Sequence, residues 1–148
     1  MAVTFTDRAR NSDLLKWEVE HRYCRTAGTI QNKSGVTIVK GAMTVGLPVK
    51  LVGTQWVTVA AADLANTGGL LLVDDAAAIP EALAADAITA KTYQILTRGP
   101  ALINKSIIPT TDLAGAAITL ATLVTRLATL NIQTMVEPTS AMTSVQEW

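Results

Sequence analysis

Residues 28–59 read GTIQNKSGVTIVKGAMTVGLPVKLVGTQWVTV, and this stretch decides the fold class. Residues 28–35 have the pattern of a strand and turn, and Val36-Thr37-Ile38-Val39 is β-branched. Gly41 and Gly46 bracket residues 42–45, residues 47–52 follow, and a Gly53-Thr54 turn leads into residues 55–59. Short β-branched segments separated by glycine turns predict a compact antiparallel or barrel-like unit. Pro48 fits an edge or strand-start position, because proline donates no ladder hydrogen bond.

Downstream, residues 60–67 predict a short helical or loop connection. Gly68-Gly69 then opens Leu70-Leu71-Leu72-Val73, an apolar run of buried-strand length that Asp74-Asp75 ends. In residues 76–87, Pro80 suits a first helical position and Glu81 the first turn, so a short helix or a loop fits. Residues 89–104 return to β, with Tyr93, Ile95, Leu96, Leu102 and Ile103 as apolar contributors and a bend at Arg98-Gly99-Pro100. The clearest helix comes last. Thr111 or Asp112 can cap it, and Leu113, Ile118, Leu120, Leu123, Val124, Leu127 and Leu130 form a broad apolar face. Asn131 stands at its stop, where a left-handed residue is often needed. Residues 132–136 can return as a strand, before a polar tail that ends in Trp148.

Upstream, residues 1–27 mix charges with Phe5, Trp17 and Tyr23. They read as an extended N-terminal arm that orders on a partner or frays, with a brief strand or turn at Leu14, Leu15, Trp17 and Val19. The expected fold class is therefore α+β and mostly β. A compact barrel-like domain over residues 28–137, with one late C-terminal helix and short helical turns, follows the arm at 1–27 and precedes a tail at 138–148.

The chain has 148 residues, enough for one domain with its own core and no staple. Its single cysteine, Cys24, precludes an intrachain disulfide and fits a reducing compartment. Lys+Arg and Asp+Glu are 12 each, and charged residues are 16% of the chain against about 25% in ordinary domains. A neutral, charge-poor chain tends to associate, so protein is expected to cover much of its surface; an uncharged Ala/Thr surface is the plainer reading. The charges are also uneven. Arg8, Arg10, Lys16, Arg22, Arg25, Lys33 and Lys40 crowd residues 1–40, whereas residues 51–90 carry Asp63, Asp74, Asp75, Glu81 and Asp86 with no Lys or Arg. Opposed patches of this kind set register across an interface. Neither a signal peptide nor a transmembrane span is expected; residues 113–130 carry threonines and Arg126 and read as a soluble helix.

Catalytic patterns are scarce. His21 and Cys24 form a His-x-x-Cys pair, but a structural zinc site needs four ligands and there is no second pair. Asp74 and Asp75 are adjacent, and neighbours on a strand point to opposite faces. No phosphate-binding glycine loop occurs, and no basic helix with interleaved aromatics supports nucleic-acid binding. The expectation is a protein with no catalytic residue, no cofactor, no metal, and no nucleic-acid, membrane or small-molecule partner.

The order of elements resembles the lambda-type head decoration proteins of tailed phages over roughly residues 12–137. The likeness is carried by Ala27-Gly28-Thr29-Ile30, by residues 68–74, by residues 94–101 around Arg98-Gly99, and by Leu127-Ala-Thr-Leu-Asn-Ile132, where Asn131 replaces the usual glycine. The resemblance implies a non-enzymatic homotrimer, a cement protein on the outer surface of the expanded capsid, bound to the major capsid protein. It implies an arm that contacts the capsid, for which Phe5, Arg8, Arg10, Leu14, Leu15, Trp17 and Tyr23 are the candidates. Asp74, Asp75 and Arg98 are candidates for the trimer interface. Another virion component, such as a minor capsid or tail-tube protein, and a small β-barrel enzyme or ligand-binding module are the alternatives.

Overall fold

The computed structural model describes residues 11–73 and 82–136. The chain is mostly β, with two mixed sheets and one late helix. The larger sheet has the strand order β2-β7-β6-β4-β5-β3. Its members are β2 (Arg25–Gly28), β3 (Ile30–Gln31), β4 (Pro48–Val52), β5 (Gln55–Thr58), β6 (Gly69–Leu72) and β7 (Tyr93–Leu96). The smaller sheet runs β1-β8-β9, from β1 (Leu15–Glu18), β8 (Ala101–Asn104) and β9 (Ile132–Met135). Two single turns, α1 (Asn11–Leu14) and α2 (His21–Cys24), flank β1, and α3 (Leu120–Thr129) precedes β9.

The barrel-like character comes from one stretch of chain. β2 and β3 stand at opposite ends of the strand order, yet only Thr29 separates them. Residues 25–28 pair antiparallel with β7, and residues 30–31 pair parallel with β5. The sheet therefore curls back on itself through residues 25–31. The seam is close-packed: a Cβ on Gly28 would lie 2.6 Å from Cδ1 of the buried Trp56. Gln55 fastens the crossing, its Nε2 donating to the Thr29 carbonyl at 2.7 Å.

β6 explains why its sequence is apolar without alternation. Leu70 and Leu72 enter a core with Leu14, Val59, Leu64, Leu96, Ile103, Leu123, Leu127 and Ile132. Leu71 and Val73 enter a second core with Ile30, Met43, Leu47, Val49, Trp56 and Ile95. Successive strand residues point to opposite faces, so a strand between two cores needs apolar residues at every position. Pro48 opens β4, as its missing N–H requires.

Three expectations need correction. Residues 36–39 and 42–45 are not strands. Ile38 makes one isolated bridge to Leu83, and Gly41 and Gly46 turn the chain at φ of 86° and 87°. The fully buried Asn32 holds this loop: its Nδ2 donates to the Val36, Leu83 and Ala84 carbonyls, and its Oδ1 accepts from Ser34 N.

The late helix also starts later than predicted, at Leu120 after Thr119, which makes no side-chain cap bond. Asp112 instead organises a loop that Gly115 reverses at φ 93°. Its Oδ1 accepts from Ala114 N at 3.0 Å and Ala116 N at 2.8 Å, and its Oδ2 from Ala61 N at 2.9 Å. The competition between local side-chain bonding and helix is won here by the side chain. Asn131 does take the left-handed conformation, with φ 62°.

The third correction concerns the arm. Residues 11–27 belong to the body: Leu14 and Cys24 are fully buried, and β1 and β2 each sit in a sheet. Their partners lie 65 to 88 residues along the chain, which a local scan for periodicity does not detect. Residues 1–10, 74–81 and 137–148 lie outside the described residues.

Gly28→Ala forces the Trp56 ring to shift and is expected to cost about 1–3 kcal/mol, the usual range for overpacking a core; urea unfolding of the two proteins measures it. Asp112 gives a pH dependence. Burial acts to raise its carboxyl pKa, but the N–H groups of Ala61, Ala116, Ala114 and Gly115 outweigh this and hold it below the ordinary value. A depressed folded pKa stabilises the protein above the unfolded carboxylate pKa of about 3.9, and the gain is lost as pH falls through the folded value. Asp112→Asn should cost about 1–3 kcal/mol at pH 7. The gap to the parent should narrow as both are melted at successively lower pH.

Candidate interaction surface

Two pairs of strands make one ribbon across both sheets. β1 pairs antiparallel with β8 in the smaller sheet, and β2 pairs antiparallel with β7 in the larger. Between them, α2 faces the Arg98-Gly99-Pro100 bend. Val19 N donates to Pro100 O at 3.0 Å, and Thr97 N donates to Cys24 O at 2.8 Å. The ribbon is thus hydrogen-bonded on both sides of its junction.

A register shift decides what this ribbon shows to solvent. Leu15 pairs with Ile103, but Trp17 pairs with Leu102, so Lys16 is the extra residue of a bulge. Without it, Trp17 would share the inward face of Leu15. With it, Trp17 joins Leu102 and Gln133 in a cross-strand row on the outer face. Trp17 and Val19 are each 54% exposed, and Tyr23 is 49% exposed. Three large apolar side chains therefore stand out from one ordered ribbon.

Charge completes the surface. Arg98 lies over the Tyr23 ring, 4.0 Å from its centroid, and its Nε donates to Tyr23 O at 2.7 Å. Such stacking holds the guanidinium in place while leaving its outer edge to solvent. Within the ribbon, Arg25 makes a two-point bond to Glu18, Nε to Oε2 at 3.1 Å and NH2 to Oε1 at 2.6 Å. It also donates to Gln94 Oε1 at 2.8 Å. Glu18 belongs to β1 and Arg25 to β2, so this partly buried ion pair ties the two sheets together.

The candidate residues fall into distinct places. Trp17, Tyr23 and Arg98 all lie on the ribbon, and Arg98 contacts Tyr23, although the sequence assigned Arg98 to a different surface. Leu14 is wholly buried and Leu15 packs against the same core, so Leu14 has no contact to offer and Leu15 little. Phe5, Arg8, Arg10, Asp74 and Asp75 lie outside the described residues. Val19, Glu18 and Arg25 were missed as site residues. Opposite charges seven positions apart around a turn were the available signal, but only the pairing of β1 and β2 with distant strands gives it meaning.

Away from the ribbon, a concavity of about 360 Å³ is lined by residues of β3, β4 and β5 beside Asp63. Its polar groups are engaged within the chain: Lys50 is paired with Asp63, Lys33 with Asp86, and Gln55 with Thr29. Hydrogen bonds from Lys50, then from Asn66, hold the Asp63 carboxyl below its ordinary value. The Cys24 thiol is fully buried, 3.8 Å from Pro100 O. Among the described residues no group of three or more His, Cys, Asp or Glu is placed to hold a metal ion. No described helix is long and apolar enough to cross a membrane.

Comparison with protein-family models, with curated protein sequences and with solved structures finds no match.

If the Glu18–Arg25 pair couples the sheets, Glu18→Gln, Arg25→Gln and the double variant should give a coupling energy of about 1 kcal/mol in a double-mutant cycle. The partial exposure of both side chains keeps it below that of a buried pair. A coupling of zero would show that the sheets hold together without it.

Proposed function

We propose that this chain is a non-enzymatic structural protein that docks on other proteins through the ribbon bearing Trp17, Val19, Tyr23 and Arg98. The observation that carries this reading is the exposure of three large apolar side chains on a segment bound into both sheets. Trp, Tyr and Arg are the residue types that most often dominate binding energy at protein interfaces, and a rigid scaffold lowers the ordering cost of using them. The zero net charge and low charge content support extensive burial against protein.

The resemblance to lambda-type head decoration proteins gives the reading its specific form. The chain acts as a homotrimeric cement protein on the outer surface of a phage capsid, bound to the major capsid protein. Leu14 and β1 belong to the body, so the capsid-contacting arm in this form is confined to residues 1–10, with Phe5, Arg8 and Arg10 as its contacts. The groove beside Asp63 favours a second reading, a ligand-binding module. The internal pairing of its lysines and glutamine weighs against it.

Light scattering of the free protein at micromolar concentration is expected to give the mass of a trimer, and a clean monomer would count against the assembly. Trp17→Ser with Tyr23→Ser should weaken binding to expanded capsids at least about 30-fold, the equivalent of losing roughly 2 kcal/mol of interface anchors. Thermal stability should stay close to the parent's, because surface substitutions usually change it by no more than about 0.5 kcal/mol. Removing residues 1–10 should also abolish attachment while leaving the trimer; unchanged capsid binding by either variant would refute the role given to that region.

A further inference from the structure

Arg25 and Arg98 are used differently within the ribbon. Arg25 is bonded inside the chain, to Glu18 and Gln94. Arg98 is exposed and fixed in place, but it meets no acid. The bend holds its backbone: Arg98 N donates to Cys24 O at 3.3 Å, and Gly99 N donates to Leu130 O at 2.8 Å. Tyr23 holds its side chain, with the ring centroid 4.0 Å from Cζ and the carbonyl accepting from Nε. Among the described residues the two terminal nitrogens have no ion-pair or hydrogen-bond partner. Glu18 is held by Arg25, and the exposed Glu20 forms no ion pair with Arg98. Arg22, exposed on the same turn as Tyr23, adds a second positive charge.

We propose that the partner presents a carboxylate to Arg98, flanked in its own sequence by a large apolar residue that covers Trp17 and Val19. The inference rests on the ribbon being a docking surface, and not on the partner being a capsid. A guanidinium whose Nε is occupied keeps two parallel N–H donors at its tip, spaced to match the two oxygens of a carboxylate. Stacking on Tyr23 has already removed much of the freedom that such a contact would otherwise cost. The apolar element follows from position. Val19 N bonds to Pro100 O, two residues past Arg98, and Trp17 lies two residues before Val19. A partner that covers these side chains also strips water from the neighbouring charge. An uncompensated guanidinium there opposes docking, so the partner needs an acid at this point.

Selection of a random-peptide display library on the full chain tests it. Enriched peptides should carry Asp or Glu beside an apolar residue. A synthetic copy of an enriched peptide, and the same copy with its acid changed to the amide, are then titrated against the parent and Arg98→Gln. The amide should bind the parent at least about tenfold more weakly, as for loss of a charge-assisted pair, and the two peptides should bind Arg98→Gln alike. An acid-to-amide ratio that Arg98→Gln leaves unchanged would overturn the proposal, because a merely structural role of Arg98 weakens both peptides equally. Apolar peptides that lack an acid and are released by Trp17→Ser would overturn the carboxylate and leave the docking surface standing. No enrichment, or peptides indifferent to Trp17→Ser, would overturn both.

Discussion

The close approach of Gly28 to Trp56 is the contact on which the larger sheet depends. One stretch, residues 25–31, serves β7 on one side and β5 on the other. It can do so only if the backbone at Gly28 passes against the Trp56 ring, where a Cβ would lie 2.6 Å from Cδ1. With that space kept, the sheet curls, its two ends meet, and Ile30, Val49, Leu71 and Ile95 enclose one core. The outer face of β6 packs toward α3 and the smaller sheet in a second core. The two cores share β6, so a change in curl at the seam is felt in both.

Much of this was legible in the sequence. Glycine-separated β-branched runs gave the β-rich class. The Leu70–Val73 run marked a buried strand, and Asn131 marked the left-handed stop of the helix. What escaped was whatever depended on distant partners. Asp112 has the composition of a helix cap, and only the position of Ala61 and the reversal at Gly115 turn it into a loop hub. Residues 36–39 have strand composition, but the buried amide of Asn32 takes over the local hydrogen bonding. Residues 1–27 read as an arm; the brief strand expected around Leu15 and Trp17 is there as β1, but its place in the body was hidden because the strands that capture β1 and β2 are the distant β8 and β7.

The candidate surface was legible only in part. The aromatic residues of the N-terminal region stood out, but their support did not. Trp17 points outward because of one extra residue at Lys16, and no compositional pattern announces a bulge. Arg98 joins Tyr23 because the bend between β7 and β8 lies beside the turn between β1 and β2. A side chain that sequence placed with a separate acidic cluster thus becomes a neighbour of the ring.

The ribbon also bears on how the chain acquires its structure. Its cross-links join residues 69 to 81 positions apart, from Arg25 to Gln94 and from Val19 to Pro100. During synthesis β1 and β2 have no partners until residues 93–104 have left the ribosome, and β8 then waits further for β9. Non-local pairing of this kind slows folding, because loop-closure entropy precedes the gain from contacts. Leu14 and Cys24, fully buried in the folded chain, are therefore uncovered for most of the chain's emergence. The N-terminal segment therefore cannot complete its sheets before Asn104 has emerged, and its burial is among the last steps of folding rather than the first.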